Sequence, residues 1–332
     1  MPVRGSRRDH VILLIAFPGL IALALLVERV ALAPWRAARS DREELAIWSR
    51  FAEDHPTFAT AQVRLGQAQL RVGDRDGAIA SFEHALALDP DLETAALGLS
   101  QLHRDAGDRA RAAAVLEPFV VRQPNCLECW QDLAADALAA GDLERASADI
   151  ERVLRSGAYL PSVTNSSFSL ARARFLAGRI EEARGSVDAA LNDYAAALRL
   201  DARLASAHQR AGALLVARDP RAAAVHLEQY RAQNPGDLHG ALPLATAYRE
   251  LGDVGSARRV LEEIRAESAK RPPPLRRRLE LDVDTQLAAL DARDGDLERA
   301  RERLERVLAL APEDADARTL LTDVRERLAA QP

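Results

Sequence analysis

Residues 65–90 read LGQAQLRVGDRDGAIASFEHALALDP, and this stretch decides the fold because its landmarks return at a fixed interval. Pro56, Pro90 and Pro124 are 34 residues apart, as are Gly73, Gly107 and Gly141. Leu65, Leu99 and Leu133 keep the same step, each followed by a small residue: Gly66, Ser100 and Ala134. Ala78, Ala112 and Ala146, then Phe82, Leu116 and Ile150, complete the set. A period of this length marks stacked supersecondary units, so the chain reads as a repeat array.

The chemistry at each position explains the interval. Leu65 opens the apolar face of a first helix, and Gly66 leaves room for a second helix, with Ala78 expected opposite it. Gly73 can take a positive φ and Asp74 can cap the second helix, so the chain reverses there. Phe82 and Ala85 are expected to bury against the next unit, and Pro90 ends the second helix. Such a helix pair cannot cover its own apolar face, so neighbours must stack.

The window from Leu65 to Pro90 resembles the tetratricopeptide repeat (TPR). It departs from that signature at the early Trp and the Tyr, where Gln62 and Gln69 stand; Trp130 and Tyr248 restore them in later repeats. The resemblance implies an all-α, right-handed α-solenoid of helix–turn–helix repeats over residues 45–313. A half-repeat at 45–58, carrying Trp48, Phe51 and Pro56, precedes about seven repeats at 59–313, and a capping helix follows at 314–332. The fourth repeat starts near Thr164, with Gly178 read at its turn and a second helix two turns longer, reaching Tyr194, Ala197 and Leu200. The fifth, with Gly212, Asp219, Leu227 and Pro235, lacks one residue at the turn. The sixth holds Leu244, Ala245, Tyr248, Gly252 and Asp253. The seventh, with Leu287, Ala288, Gly295, Asp296 and Leu304, follows a basic Pro-rich insertion at 270–278.

The resemblance further implies that first helices line a concave groove for a peptide or a partner's helix. Carried over residue by residue, the early inward positions are Gln67, Leu70, Arg71, Gln101, Arg104 and Asp105. The later ones are Gln131, Arg172, Phe175, Gln209, Thr246, Arg249 and Glu250. This mixture of amides, guanidiniums and apolar groups suits an extended peptide, and it equally suits an ordinary solvated helix face.

Outside the array, Val11–Val27 is apolar and uncharged. Seventeen helical residues span about 26 Å, and Val30–Ala33 add another turn toward a hydrocarbon core of roughly 30 Å. The expectation is one transmembrane signal-anchor helix at 11–33, between a basic tail at 1–10 and a juxtamembrane linker at 34–44. Ala31-Leu32-Ala33 has the form of a cleavage site, but Pro34 follows it. Arg4, Arg7 and Arg8 place the tail on the cytoplasmic side. The array is then expected in the periplasm of a bacterial inner membrane, with the cytoplasmic face as the alternative.

Composition limits the chemistry. Among 332 residues, 48% are hydrophobic, the net charge is −5, and Met1 and Lys270 are the only Met and Lys. An acidic chain argues against a nucleic-acid partner. Two cysteines exclude a disulfide-dense scaffold and a four-thiolate metal site. No HExxH, GxSxG, Walker or GxGxxG motif occurs, and the seven histidines are scattered. Asp291, Asp294 and Asp296 lack EF-hand spacing. The expectation is no enzyme, no cofactor, no metal and no small-molecule substrate.

Cys126-x-x-Cys129 is the most pointed local motif. It can be a disulfide staple at a helix entry, two half-buried thiols or a redox pair. Residues 270–278 can be a stiff linker or a contact for an anionic partner. The functional expectation is a membrane-anchored TPR scaffold that binds envelope proteins or peptides. The alternatives are a cytoplasm-facing regulator of lipopolysaccharide synthesis and a thiol-dependent redox helper.

Overall fold

The computed structural model describes residues 33–157 and 164–330, in sixteen helices. A lone helix, α1 (Ala33–Asp54), comes first. The pairs that follow are α2 (Ala59–Arg71) with α3 (Arg75–Leu88), α4 (Glu93–Asp105) with α5 (Arg109–Arg122), and α6 (Leu127–Ala140) with α7 (Leu143–Gly157). Next come α8 (Thr164–Ala183) with α9 (Val187–Leu200) and α10 (Ala205–Leu215) with α11 (Pro220–Gln233). The last pairs are α12 (Leu242–Glu250) with α13 (Val254–Ser268) and α14 (Pro273–Asp294) with α15 (Leu297–Leu310), before a final α16 (Ala315–Ala329). Contacts group the chain into two compact units that divide between Cys129 and Trp130.

The turns follow from two residues. Gly73, Gly107, Gly141, Gly185, Gly252 and Gly295 all hold φ between 78° and 89°, a region closed to most side chains. At most of these turns the next residue is an aspartate, whose carboxylate accepts from a backbone N–H in the first turn of the second helix. Asp74 accepts from Gly77 at 2.9 Å, Asp108 from Arg111 at 3.0 Å and Asp142 from Arg145 at 3.1 Å. The fifth pair has no turn glycine. There α10 stops at Leu215, and Asp219 still caps α11 through Ala222.

Packing within a pair sets a small residue of the first helix against a large one of the second. A Cβ added to Gly66 would sit 2.9 Å from the Phe82 ring, and one added to Gly98 of α4 would sit 3.0 Å from it. Phe82 is therefore the residue opposite Gly66, a place the sequence reading gives to Ala78. The same clash distance is 2.6 Å for Gly178 against Tyr194 and for Gly212 against Leu227. The four other repeats hold Ser100 with Leu116, Ala134 with Ile150, Ala245 with Leu261 and Ala288 with Leu304 at these positions. All seven large residues are fully buried, each contributing about 1.5–3 kcal/mol of apolar transfer.

This pairing corrects the fourth repeat. Gly178 lies inside α8 against Tyr194, and the turn is at Gly185. The second helix, α9, then has the ordinary 14 residues, and the extra length falls in the 20-residue first helix. The seventh repeat does the same: Pro273 begins the 22-residue α14, so most of the insertion 270–278 is helix and not linker. Prolines suit a first helical turn because their missing N–H has no partner to lose there.

The amino-terminal expectation is also corrected. The described chain is already helical at Ala33 and stays so to Asp54, so residues 34–44 are not a linker. α1 carries Asp41, Arg42, Glu43 and Glu44 along its length, which bars it from hydrocarbon. Among the described residues no helix is long and apolar enough to cross a membrane. The run Val11–Val27 lies outside them. The all-α paired-helix fold is therefore supported among the described residues, and the transmembrane helix expected at 11–33 is not. The bilayer as partner, the inner-membrane and periplasmic placement, and the envelope-specific roles lose their basis with it.

At the other end, α16 buries Ala317, Leu321 and Val324 against α15 and α14 and turns Arg318, Asp323, Arg325 and Glu326 to solvent.

Complementarity of size makes a coupling testable by chemical denaturation. Gly66→Ala is expected to cost about 1–3 kcal/mol by overpacking, and Phe82→Leu alone to leave a void. The double variant reproduces the Ala–Leu pair of the sixth and seventh repeats, so it should be more stable than the two losses added together. Strict additivity would show that Gly66 and Phe82 do not share one space.

Candidate functional site

In the first unit the sequence-derived groove positions lie on α2 and α4, just past the small residues Gly66 and Ser100. Gln67 accepts from Arg64 at 3.3 Å. Arg71 reaches back to α1, pairing with Glu44 and lying 3.7 Å from Asp41. On α4, Gln101 donates to Asp105 at 2.6 Å, and Arg104 donates to Gln101 at 3.1 Å and to Ser100 at 2.7 Å. Arg75 of α3 completes the chain by donating to Asp105 at 3.1 Å. Apart from the half-buried Arg104–Ser100 bond these bonds are exposed, while Leu70 packs partly into the core.

In the second unit the predicted positions divide into braces and open groups. Gln131 is 1% exposed and donates to the Ser169 hydroxyl at 2.6 Å and its carbonyl at 3.1 Å, tying α6 to α8. Arg172 donates to Asp132 at 2.8 Å across the same two helices. Phe175 lies against Tyr194, with ring centroids 5.7 Å apart. Gln209 is half-buried on α10. Thr246 is 3.4 Å from Gln286 of α14, and Arg249 pairs with Glu250 at 2.9 Å.

The corrected turn at Gly185 brings in residues that the sequence reading missed. Glu182 takes the place that Leu70 holds in the first repeat. Its carboxylate accepts from the Tyr194 hydroxyl at 2.6 Å and from Arg210 on α10, whose Nε is 3.0 Å away. Burial first, and then this bond to a carboxylate, push the Tyr194 phenol well above its ordinary range. Recognising Gly178 as the small partner of Tyr194, 16 residues on, was the signal that could have found them.

Two histidines 18 residues apart also meet. His208 Nε2 is 3.1 Å from the Ala202 carbonyl and so carries its hydrogen, which leaves Nδ1 to accept from His226 Nδ1–H at 2.9 Å. Burial first, and then the charge of protonated His208, lower the His226 pKa.

Cys126 and Cys129 are joined as a disulfide, with Cα atoms 5.3 Å apart. Cys126 precedes Leu127, the first residue of α6, so only Cys129 is held to helical geometry and the turn need not loosen. The Cys129 N–H lies 3.2 Å from the Cys126 sulfur, and both cysteines are buried. Burial leaves an attacking thiolate little access, which removes support from the redox-helper alternative. The basic stretch spends much of its charge locally. Lys270 pairs with Glu267 at 2.7 Å, Arg276 with Glu280 at 3.4 Å, and Arg271 donates to the Gly236 carbonyl at 2.8 Å.

Asp291 faces guanidiniums, Arg258 at 2.9 Å and Arg303 at 2.7 Å. Among the described residues no group of three or more His, Cys, Asp or Glu side chains is placed to hold a metal ion.

The family comparison follows the same units. Two tetratricopeptide repeat families match the sequence, one over residues 69–137 and 214–277 and the other over 132–203. The chain belongs to the tetratricopeptide repeat family. Arrays of this family are generally non-catalytic scaffolds, in which stacked helix pairs present an extended surface.

Among solved structures, pilF of Pseudomonas aeruginosa is 14% identical, with 63% of this chain and 90% of that one covered and a TM-score of 0.54. The Cut9–Hcn1 hetero-tetramer of the APC/C is 14% identical, covering 84% of this chain and 52% of that one, with a TM-score of 0.54. A monomeric IFIT1 mutant is 17% identical, covering 85% and 72%, with a TM-score of 0.51. At these identities the likeness is one of fold. No curated protein matches the chain.

The histidine pair yields a pH dependence with a definite sign. His226 titrates below its ordinary value of 6.5 when folded, so the unfolded chain binds more protons as pH falls through that value. Stability contributed here is present above pH 6.5 and lost on acidification. The fall in thermal midpoint between pH 7.5 and 5.5 should be smaller in His226→Gln than in the parent. An identical fall in both would remove the pair as its source.

Proposed function

We propose that the chain is a scaffold that holds a partner protein on the faces of its first helices and performs no chemistry on it. The observation that carries this reading is the recurrence, 34 residues apart, of Gln67 and Gln101 on α2 and α4. Gln101 is exposed and Gln67 half-buried, and each bonds to a neighbouring side chain that an incoming backbone amide can replace. An amide side chain both donates and accepts, so it can meet the N–H and C=O of an extended segment in either direction. In the second unit the positions assigned the same role are Phe175, Gln209, Thr246 and Glu250. In that unit Gln131 and Arg172 brace α6 against α8, and Arg249 flanks Glu250; in the first unit Arg71 braces α2 against α1, and Leu70, Arg104 and Asp105 flank the two glutamines.

The partner is a polypeptide. The net charge of −5 disfavours nucleic acid, whose phosphates require a basic face.

Site-specific photo-crosslinking tests this reading. With a photoreactive side chain placed at Gln101 or Thr246, a covalent protein adduct is expected. Val121 on α5 and Val225 on α11, both exposed on second helices, should give little. Equal or stronger adducts from Val121 and Val225 would move binding off the first helices and overturn the proposal.

A further inference from the structure

Three large apolar side chains stand open close together at the start of the first unit: Ile47 at 64% exposure, Phe51 at 36% and Phe58 at 52%. The register of the array explains why. Trp48 and Phe51 precede Phe82 and Ala85 by one 34-residue step, and Ile47 precedes Ser81 by the same step. Phe82, Ala85 and Ser81 are all buried. Phe82 faces Gly66 and Ser81 donates to Gln69 at 2.7 Å, so that side of α3 is covered by the first helix of its own pair. Among the described residues α1 packs on α2, where Ala52 is buried, and has no first helix of its own. The rings on its open side hold one another in place. Phe51 meets Trp48 edge-on with centroids 5.7 Å apart, stacks on His55 at 4.4 Å and meets Phe58 at 6.2 Å. Contiguous apolar surface of this kind marks a contact site.

The same register narrows what covers it. A first helix from this chain at the ordinary spacing would reverse at Arg39 and Ser40, one step before Gly73 and Asp74, yet α1 runs unbroken from Ala33 to Asp54. Among the described residues, a second copy has two helices without a hairpin partner. One is α1 itself, which would set Trp48 and Phe51 against large residues. The other is α16, whose outer side is polar, with Arg318, Asp323, Arg325 and Glu326. Neither offers the small residue that each first helix of the array sets against the large residue of the second. A helix from another polypeptide remains. Ile47 is larger than Ser81, so such a helix needs a small residue where Gln69 stands as well as where Gly66 stands, three positions apart on one face.

We propose that the open side of α1 docks an amphipathic helix of a partner protein, whose contact face carries two glycine or alanine residues three positions apart. These seat against Trp48 and Ile47, and flanking apolar residues cover Phe51 and Phe58. The half-repeat is thereby completed in trans by the contact that the array makes within each pair. The site is separate from the first-helix faces that carry Gln67 and Gln101, so either can fail without the other.

The probe is a dye-labelled peptide of residues 59–72 carrying Gln69→Ala, stapled on the side away from Gly66 because so short a helix is marginal alone. Fluorescence anisotropy with the full-length chain is expected to show saturable binding. The same peptide with Gly66→Leu should bind about tenfold more weakly, as overpacking predicts. Ile47→Glu in the chain should weaken binding at least as much by placing a charge in the contact, with the thermal midpoint unchanged because Ile47 is open to solvent. Val121→Glu on α5 should bind as the parent does. Equal binding of the two peptides, binding undiminished by Ile47→Glu, or no saturation would each overturn the proposal. So would a parent chain that sediments as a dimer while Ile47→Glu sediments as a monomer, because a second copy would then cover the face. A photoreactive side chain at Ile47 that crosslinks to residues 11–27 of its own chain would overturn it too.

Discussion

The structure depends on one steric bargain: the first helix of each pair offers a small residue where the second offers a large one. Where the large residue is Phe82 or Tyr194, only glycine leaves enough room, and Gly66 and Gly178 stand there. Where it is Leu or Ile, alanine or serine suffices in four of five repeats, and Gly212 against Leu227 is the exception. The spacing between the two is 16 residues in six repeats and 15 in the fifth, where the turn is one residue shorter. A fixed spacing at each hairpin makes the buried faces of all pairs alike, so any pair can stack on the next.

Small side chains at the contact have a second effect. They concentrate burial in alanines and a few large residues, so little of the core is polar and inter-helix ionic bonds fall mostly at its margins. Arg172–Asp132, Arg210–Glu182 and Arg75–Asp105 each join different helices at partly exposed sites. Exposed pairs contribute little to stability, typically below about 1 kcal/mol each. They do orient the side chains beside them. Arg75 fixes the carboxylate of Asp105, which in turn holds the Gln101 amide, so this helix face is preorganised at small energetic expense.

The sequence made the period, the turns and the capping aspartates legible because each is imposed by a local rule: positive φ, an orphan N–H, a proline past a helix end. It misplaced what depends on partners distant in sequence. Gly178 reads as a turn residue because a glycine in either place looks alike; only its contact with Tyr194 distinguishes them. The insertion 270–278 reads as linker by composition, yet the prolines fall where a helix begins and cost it nothing. Of the groove positions, Gln131 looked like a binding amide and proved to be a buried cross-link to Ser169. Side-chain type cannot reveal that difference. Exposure can. An apolar run such as Val11–Val27 carries the same ambiguity, since length and hydropathy describe a segment without its neighbours.

Repeats four and seven show how a periodic array tolerates irregular length. In both, the added residues extend the first helix at its amino end, upstream of the small–large contact. An extension there leaves the glycine or alanine, the turn and the second helix at their usual spacing. Insertion within either helix between Gly178 and Tyr194 would instead rotate one contact residue by about 100° per residue and lift it from the core. The long α14 also carries Asp284 and Asp291 alongside α15, where Arg303 binds both. A helix lengthened away from the contact gains surface for such bonds without disturbing the stack, so variation can accumulate at one end of each first helix while the hairpin keeps its spacing.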